Sequence, residues 1–303
     1  MARRPGTSTW QRLWEQSVPY HFIAPALLVY LYFFLWPSVQ SLYLSLFDYD
    51  GFSPVRTFVG LDNLRKLILE DRLFWIAIRN NVLWTIGSLA LPTSLGLLLA
   101  VILNSKRVRW RNAFRTAFFV PYVLSLIVVG MLWKNVYNPQ TGLLNLIISR
   151  ILGRPFAHAW LGDTRTALMA TLVASTWAVL GFYLVNFSAG LQTIPQELYE
   201  TAEIEGAGFW QTLVYVTIPL LREISTVMVI ITIIGSFKVF DIIYTMTGGG
   251  PINATEVTAT RMLTHAFKLN QFGYAAAYAS VMFVVIFTLS VAYFIVQQRR
   301  AEM

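Results

Sequence analysis

The sequence predicts an all-α, polytopic membrane protein with about six crossings, and three observations carry that expectation. Of its 303 residues, 56% are hydrophobic and only 13% charged, with a mean hydropathy of +0.57. A water-soluble domain carries about a quarter of its residues as charged side chains. The apolar residues gather into runs of about 20, the length a helix needs to cross hydrocarbon that offers its main chain no water. The basic residues cluster beside those runs, as orientation by cytoplasmic Lys and Arg requires. The net charge of +8 is therefore read as topology, and no nucleic-acid partner is expected.

The first run extends from Pro19 to Phe47, behind Arg3, Arg4 and Arg12. It is too long for a cleaved signal sequence and lacks a small-residue exit, so it is expected to stay as the first helix, with Trp10, Leu13 and Trp14 suited to the headgroup layer. The second runs from Asn81 to Leu103, the third from Thr116 to Trp133, the fourth from Thr166 to Leu191, the fifth from Ile224 to Thr247 and the sixth from Tyr274 to Val296. Between the second and third lies the densest cationic cluster, Lys106 to Arg115, which assigns that loop to the cytoplasm. Both termini then face the cytoplasm, in agreement with Arg299 and Arg300. The expected organisation is a cytoplasmic segment over 1–18, one six-helix membrane domain over 19–298 and a cytoplasmic tail over 299–303. The loop over 48–80 faces outward, and Leu61, Leu64, Ile68 and Trp75 suggest a short amphipathic helix within it.

Several chemistries are excluded. With no cysteine, the chain cannot form disulfides, zinc-thiolate sites or iron–sulfur sites. His21, His158 and His265 are far apart and show no ligand spacing, so no metal is expected. No G-x-x-x-x-G-K-[ST] run occurs, so the chain has no phosphate cradle for ATP. Gly248, Gly249, Gly250 and Pro251 lack the Lys that follows in such a cradle and read as a helix stop.

The loop from Pro195 to Leu221 departs from the charge pattern. Topology makes it cytoplasmic, yet Glu197, Glu200, Glu203 and Glu205 give it the opposite sign. Pro195 suits a helix start, the glutamates suit its N-terminal dipole, and Gly206 suits a turn before a second helix ending near Pro219. From the residues alone, a solvated acidic helix and a docking element are both open.

The stretch resembles the cytoplasmic coupling loop of ABC importer membrane subunits, in which E-A-A-x-x-x-G is followed, about eleven residues on, by aliphatic-x-aliphatic-Pro. Glu200, Ala202, Gly206, Ala207, Ile218 and Pro219 match, while Thr201 replaces the middle alanine and Glu205 a frequent aspartate. F-V-G-L-D-N at Phe58 to Asn63, F-F-V-P-Y at Phe118 to Tyr122, N-P-x-x-G-L-L-N at Asn138 to Asn145 and T-G-G-G-P at Thr247 to Pro251 are similar to the carbohydrate-importer branch. The chain thus resembles the upstream membrane subunit of maltose-, lactose- or glycerol-3-phosphate-type importers. The resemblance implies a type I importer fold in a prokaryotic inner membrane. It also implies a second homologous permease, two ATP-binding subunits that hold the ATP and magnesium, and an extracytoplasmic solute-binding protein. It makes Leu198, Tyr199, Glu200, Thr201, Ala202, Glu203, Glu205, Gly206 and Ala207 the coupling element, with small Ala202 allowing close approach to the ATPase.

The fifth run holds Lys238 and Asp241, three residues apart and hence on one face of a continuous helix. Charges inside a membrane usually face a bundle interior or a wet cavity, so a pathway role and a structural ion pair are both open. Thr232, Ser236 and Val239 form a partly polar stripe on the same helix, and Ser175, Ala178 and Phe182 a similar one on the fourth. The resemblance places the solute between these helices, where hydroxyls and the Phe182 ring would meet a sugar. Ser and Thr serve equally as glue between helices.

Two further classes remain open at this level. A secondary transporter would use Asp241 as its proton site. A membrane enzyme would need an acid and a base from Lys238, Asp241 or the glutamates, but no nucleophile or catalytic constellation accompanies them.

Overall fold

The computed structural model describes residues 9–105 and 108–302. Arg3, Arg4, Lys106 and Arg107 lie outside the described residues, as do the side chains of Trp10, Arg12, Leu13, Trp14 and Arg300. The first helix, α1 (Tyr20–Leu44), has none of its most apolar window buried against the rest of the chain. A short antiparallel hairpin follows, β1 (Phe47–Asp48) on β2 (Thr57–Phe58), with Phe47 opposite Phe58.

The expected amphipathic helix exists as α2 (Asp62–Leu69), and of the residues that suggest it, half-buried Leu64 packs inward on the Leu67 cluster. Asn63 and Leu67 are buried, whereas Leu61, Ile68 and Trp75 are exposed. Leu67 packs with Phe74 and Tyr278, and the Asn63 amide donates to the carbonyls of Ser45 and Phe47 at 3.0 and 2.9 Å, which turns that side inward. The outer loop is also shorter than expected. Asp71 caps α3 (Arg72–Asn104), accepting from the main-chain N–H groups of Leu73 and Phe74, so the second span begins well before Asn81. Pro92 lies inside this helix, in a π-helical turn over Leu89–Thr93. A proline cannot donate to the carbonyl four residues back; here the Thr93 hydroxyl donates to the Ser88 carbonyl at 2.9 Å in its place.

The third run is not one straight span. It divides into α4 (Arg111–Val123) and α5 (Leu126–Val136), bent by 99°. Leu124 and Ser125 are extended, and the Ser125 hydroxyl accepts from Ile127 to start the new helix. After α6 (Leu143–Leu152) comes α7 (Ala167–Leu191), which packs against α3, α4 and α5 and carries much of the core. A side chain at Gly181 of α7 would meet the Phe118 carbonyl oxygen at 2.3 Å, so only glycine allows α4 this close.

Beyond α8 (Gln196–Ile204), α9 (Phe209–Leu220) and α10 (Arg222–Phe237) meet at a 78° bend. The fifth helix therefore does not continue to Thr247: it ends at Phe237, and a separate α11 (Asp241–Met246) follows. The break is held by Asn81 of α3, fully buried, whose amide donates to the carbonyl of Ser236 at 3.0 Å and approaches that of Phe237 at 3.4 Å. Its side-chain oxygen accepts from both the main-chain N–H and the hydroxyl of Thr258, at the start of α12 (Thr258–Leu263). The glycine run stops α11 as expected, with Gly248 and Gly249 at φ of +60° and +93°. The last helix is α13 (Phe272–Glu302). Among the described residues, four unbroken helices and two bent pairs are long and apolar enough to cross a membrane.

Between α12 and α13, buried His265 joins several elements. Arginine only donates, so Arg261 Nη2, 3.0 Å from His265 Nε2, fixes that nitrogen as the acceptor, and Nδ1–H donates to Gln271 Oε1 at 2.8 Å. The ring packs on Tyr274 and Tyr278, whose hydroxyls both donate to Asp71. Burial pushes the His265 pKa below its ordinary 6.5, with Arg261 adding to the effect and Gln271 and Asp71 opposing it. The folded chain thus favours neutral His265. Its contribution to stability is full above about pH 6.5, falls as pH drops toward the depressed folded value and then levels off. Apparent melting temperatures in detergent between about pH 8 and pH 5 should show this fall in the wild type. His265→Gln should melt lower at neutral pH and lose that part of the pH dependence.

Candidate coupling and translocation sites

Helix α8 opens at Pro195 with Glu197 in its first turn, where a carboxylate complements the helix dipole. Gln196 donates to Glu200 Oε1 at 2.8 Å, and the Thr201 hydroxyl to the Glu197 carbonyl at 2.9 Å. The C-terminus closes as a Schellman motif: Ala207 N–H donates to the Ala202 carbonyl at 2.9 Å and Gly206 N–H to that of Glu203 at 3.0 Å. Gly206 makes this possible at φ +80°. The helix is exposed on most of its circumference. Leu198, Glu200, Thr201, Glu203 and Glu205 are exposed, and Ile204 is 86% exposed. Among the described residues none of the four glutamates makes an ion pair.

Two members of the expected coupling element face the other way. Ala202 is 8% exposed and turned toward its own chain, and Tyr199 packs on the cluster of Leu103, Leu184, Ile194 and Leu221. Ala202 therefore allows close approach of α8 to its own bundle, and the outward surface is made of Glu200, Thr201 and Ile204. The Tyr199 hydroxyl lies 3.4 Å from that of Thr217 on α9, and Leu221, at the bend into α10, belongs to the same cluster. The Arg222 guanidinium, just past the bend, donates to the Gln297 carbonyl of α13. Packed side chains and hydrogen bonds thus connect α8 to α9, α10 and α13.

The expected pathway residues do not form one open stripe. Thr232 and Ser236 are buried. Thr232 gives its hydrogen to the Met228 carbonyl at 2.7 Å and accepts from the Tyr183 hydroxyl at 2.9 Å, which joins α10 to α7. Ala178 is buried among Trp84, Val129 and Ile242, and Val239 packs against the same cluster. Ser175 is half-buried, and half-buried Phe182 stacks on Tyr122 with centroids 5.2 Å apart and planes at 23°. Lys238 and Asp241 are exposed, lie on either side of the helix break rather than on one helical face, and form no ion pair among the described residues. The break that Asn81 holds separates them. Tyr122, Tyr183 and Asn81 were not singled out from the sequence. Asn80 and Asn81, side by side in an apolar helix, were a legible signal of buried polar work.

The chain also matches a family model across residues 93–302, and that model describes the inner membrane component of binding-protein-dependent transport systems. The chain belongs to this family. A probable ABC transporter permease of Bacillus subtilis, YurN, is 41% identical over 91% of this chain and 94% of its own length. The trehalose/maltose transport system permease of Thermococcus litoralis is 34% identical over 95% of this chain and 96% of its own. The fold matches a membrane chain of a bacterial ABC transporter involved in alginate import, with a TM-score of 0.82 at 22% identity, over 95% of this chain and 99% of that one. The motif resemblance read from the sequence is borne out. This permease is a subunit of a binding-protein-dependent ABC importer.

Gly206 offers a direct check on the geometry of α8. Nothing lies within 4 Å of a side chain placed there, so Gly206→Ala would suffer only the left-handed backbone cost of about 1–2 kcal/mol. Hydrogen exchange of the α8 amides should rise about fivefold or more in Gly206→Ala and change less in Gly206→Asn, since Asn tolerates this conformation.

Proposed function

We propose that this permease forms half of the translocation pathway for a sugar or related polyhydroxy solute, and that a separate ATPase drives it through α8. The exposed acidic face of α8, locked at its end by Gly206 and backed by Tyr199 and Ala202, is the observation that carries this reading. A motor that closes on ATP needs a rigid handle, and a short capped helix packed on the ends of α9 and α10 supplies one. Glu200 is placed to pair with a basic residue of an ATP-binding subunit.

The full assembly contains a second homologous permease, a different chain in the favoured form, with two ATP-binding subunits and an extracytoplasmic solute-binding protein. The chain crosses the inner membrane six times, each bent pair counting as one crossing, and both termini are cytoplasmic. Catalysis of ATP hydrolysis belongs to the partner, since this chain has no phosphate-binding loop. The sugar class is supported by the trehalose/maltose relative. The solute meets Ser175, Phe182 and the polar stripe of α10 only after α7 and α10 part, because Thr232 and Tyr183 close that seam here. Lys238 and Asp241 flank the break near its outer end. Opening by a partner's stroke is then a change between two packed states, biased by nucleotide on one side and by the loaded binding protein on the other.

Reconstituted with its partners in proteoliposomes, the wild type should couple ATP hydrolysis to uptake of a sugar retained by the cognate binding protein. Glu200→Lys and Gly206→Pro should insert normally but cut uptake per ATP hydrolysed at least about tenfold, the equivalent of about 1.4 kcal/mol of lost coupling. Normal uptake by both variants would defeat the coupling role. Uptake that survives ATP depletion but collapses with the proton gradient would favour the ion-driven reading through Asp241.

A further inference from the structure

The N-terminus of α4 carries a feature that coupling and translocation do not use. Arg109, Arg111 and Arg115 flank Trp110 and Phe114, and Arg109, Trp110, Arg111 and Phe114 are all exposed. Arg111 and Arg115 are four residues apart and share a helix face. Among the described residues none of the three arginines forms an ion pair or a side-chain hydrogen bond, and the Nε of half-buried Arg115 is shut off from solvent without a partner. Trp110 is held at φ +64°, a conformation that disfavours a large side chain, and is nonetheless 77% exposed. It gives α4 no side-chain cap, and the first turn holds no acidic residue. The free N–H groups, the dipole and the three cations therefore all call for an anion.

The surroundings identify its source. Trp110 and Phe114, both exposed, put aromatic rings in the same stretch as the cations. Aromatic rings beside arginines at the end of an apolar helix belong to the headgroup layer, where anionic lipids concentrate. We propose that Arg109, Arg111 and Arg115, with the uncapped start of α4, bind the phosphate of an anionic phospholipid in the cytoplasmic leaflet. The proposal rests on the cytoplasmic placement of this loop. It also gives the lipid a route to coupling: Val108 packs on the same cluster as Tyr199, Ile194 and Leu221, so ordering this loop steadies the seat of α8.

The test uses the complete transporter in nanodiscs of phosphatidylcholine alone or of equal phosphatidylcholine and phosphatidylglycerol. Lipid retained after detergent extraction is read by native mass spectrometry, and transport-coupled ATPase activity is read in parallel. The wild type should retain phosphatidylglycerol over phosphatidylcholine and couple better in the mixed bilayer. Arg109→Gln with Arg111→Gln should weaken that retention about tenfold or more and abolish the difference between bilayers. Restoring the charge with Lys at both positions should recover most of it, a rescue that a purely structural role would not produce. Soluble glycerol phosphate should not displace the lipid. Equal retention by the Gln variant and the wild type would overturn the proposal. So would displacement by glycerol phosphate, or loss of the ATP-binding subunits from the Gln variant with retention intact. If the Gln variant alone lost lipid selectivity while uptake through Glu200 stayed normal, the lipid site would stand apart from the coupling reading.

Discussion

Hydrocarbon cannot hydrogen-bond a main-chain N–H or C=O, so every interruption of a spanning helix must bring its own partners. This chain interrupts its helices repeatedly, and three of the interruptions are answered by a side chain. Asn81 holds the end of α10 and the start of α12 together, the Thr93 hydroxyl takes the carbonyl that Pro92 cannot serve, and Ser125 starts α5 after the bend. Leaving such a group unpaired in a buried position costs about 1–3 kcal/mol, a large part of the stability of any fold. Short polar contacts inside an apolar body thus hold these broken helices in place.

In the proposed mechanism the seam that opens lies between α7 and α10. Tyr183 and Thr232 close it with one hydrogen bond, and the stacked Tyr122 and Phe182 stand beside it where α4 nears its bend. A single neutral hydrogen bond contributes about 0.5–1.5 kcal/mol, small enough to be exchanged for contacts to a polyhydroxy solute. At the opposite end, α8 presents its acidic face to water while Tyr199 and Ala202 anchor it to the bundle. On that proposal the surface that is pushed is separate from the surface that opens, and Leu221 with the bend between α9 and α10 connects them.

The elements legible in the sequence were those fixed by local chemistry. Runs of apolar residues located the spans, Pro195 and Gly206 bounded α8, and the glycine run at Gly248 ended α11. What escaped depended on distant partners. Nothing local marks Phe237 as a helix end, because the residue that makes the end possible is Asn81, far away in the chain. The expectation that Lys238 and Asp241 share one face assumed a continuous helix, and the break between α10 and α11 sets them on either side of it. The inner face of α2 was legible in part: Leu64 packs inward, and Asn63, a polar residue, turns inward beside it to serve two hairpin carbonyls. The role given to Ala202 reversed because periodicity locates a face but does not say what covers it.

In the proposed assembly an ATP-hydrolysing partner takes hold of the outward face of α8. Because the chain has no cysteine, a single thiol at Ile204, which is 86% exposed on α8, reports that contact without background from this chain. In the assembled transporter during turnover, Ile204→Cys bearing a short bifunctional crosslinker should capture an ATP-binding subunit, and the buried Ala202→Cys should capture it far less. Capture of no nucleotide-binding protein from Ile204→Cys, or labelling of that thiol only from the outer side of the membrane, would contradict the account.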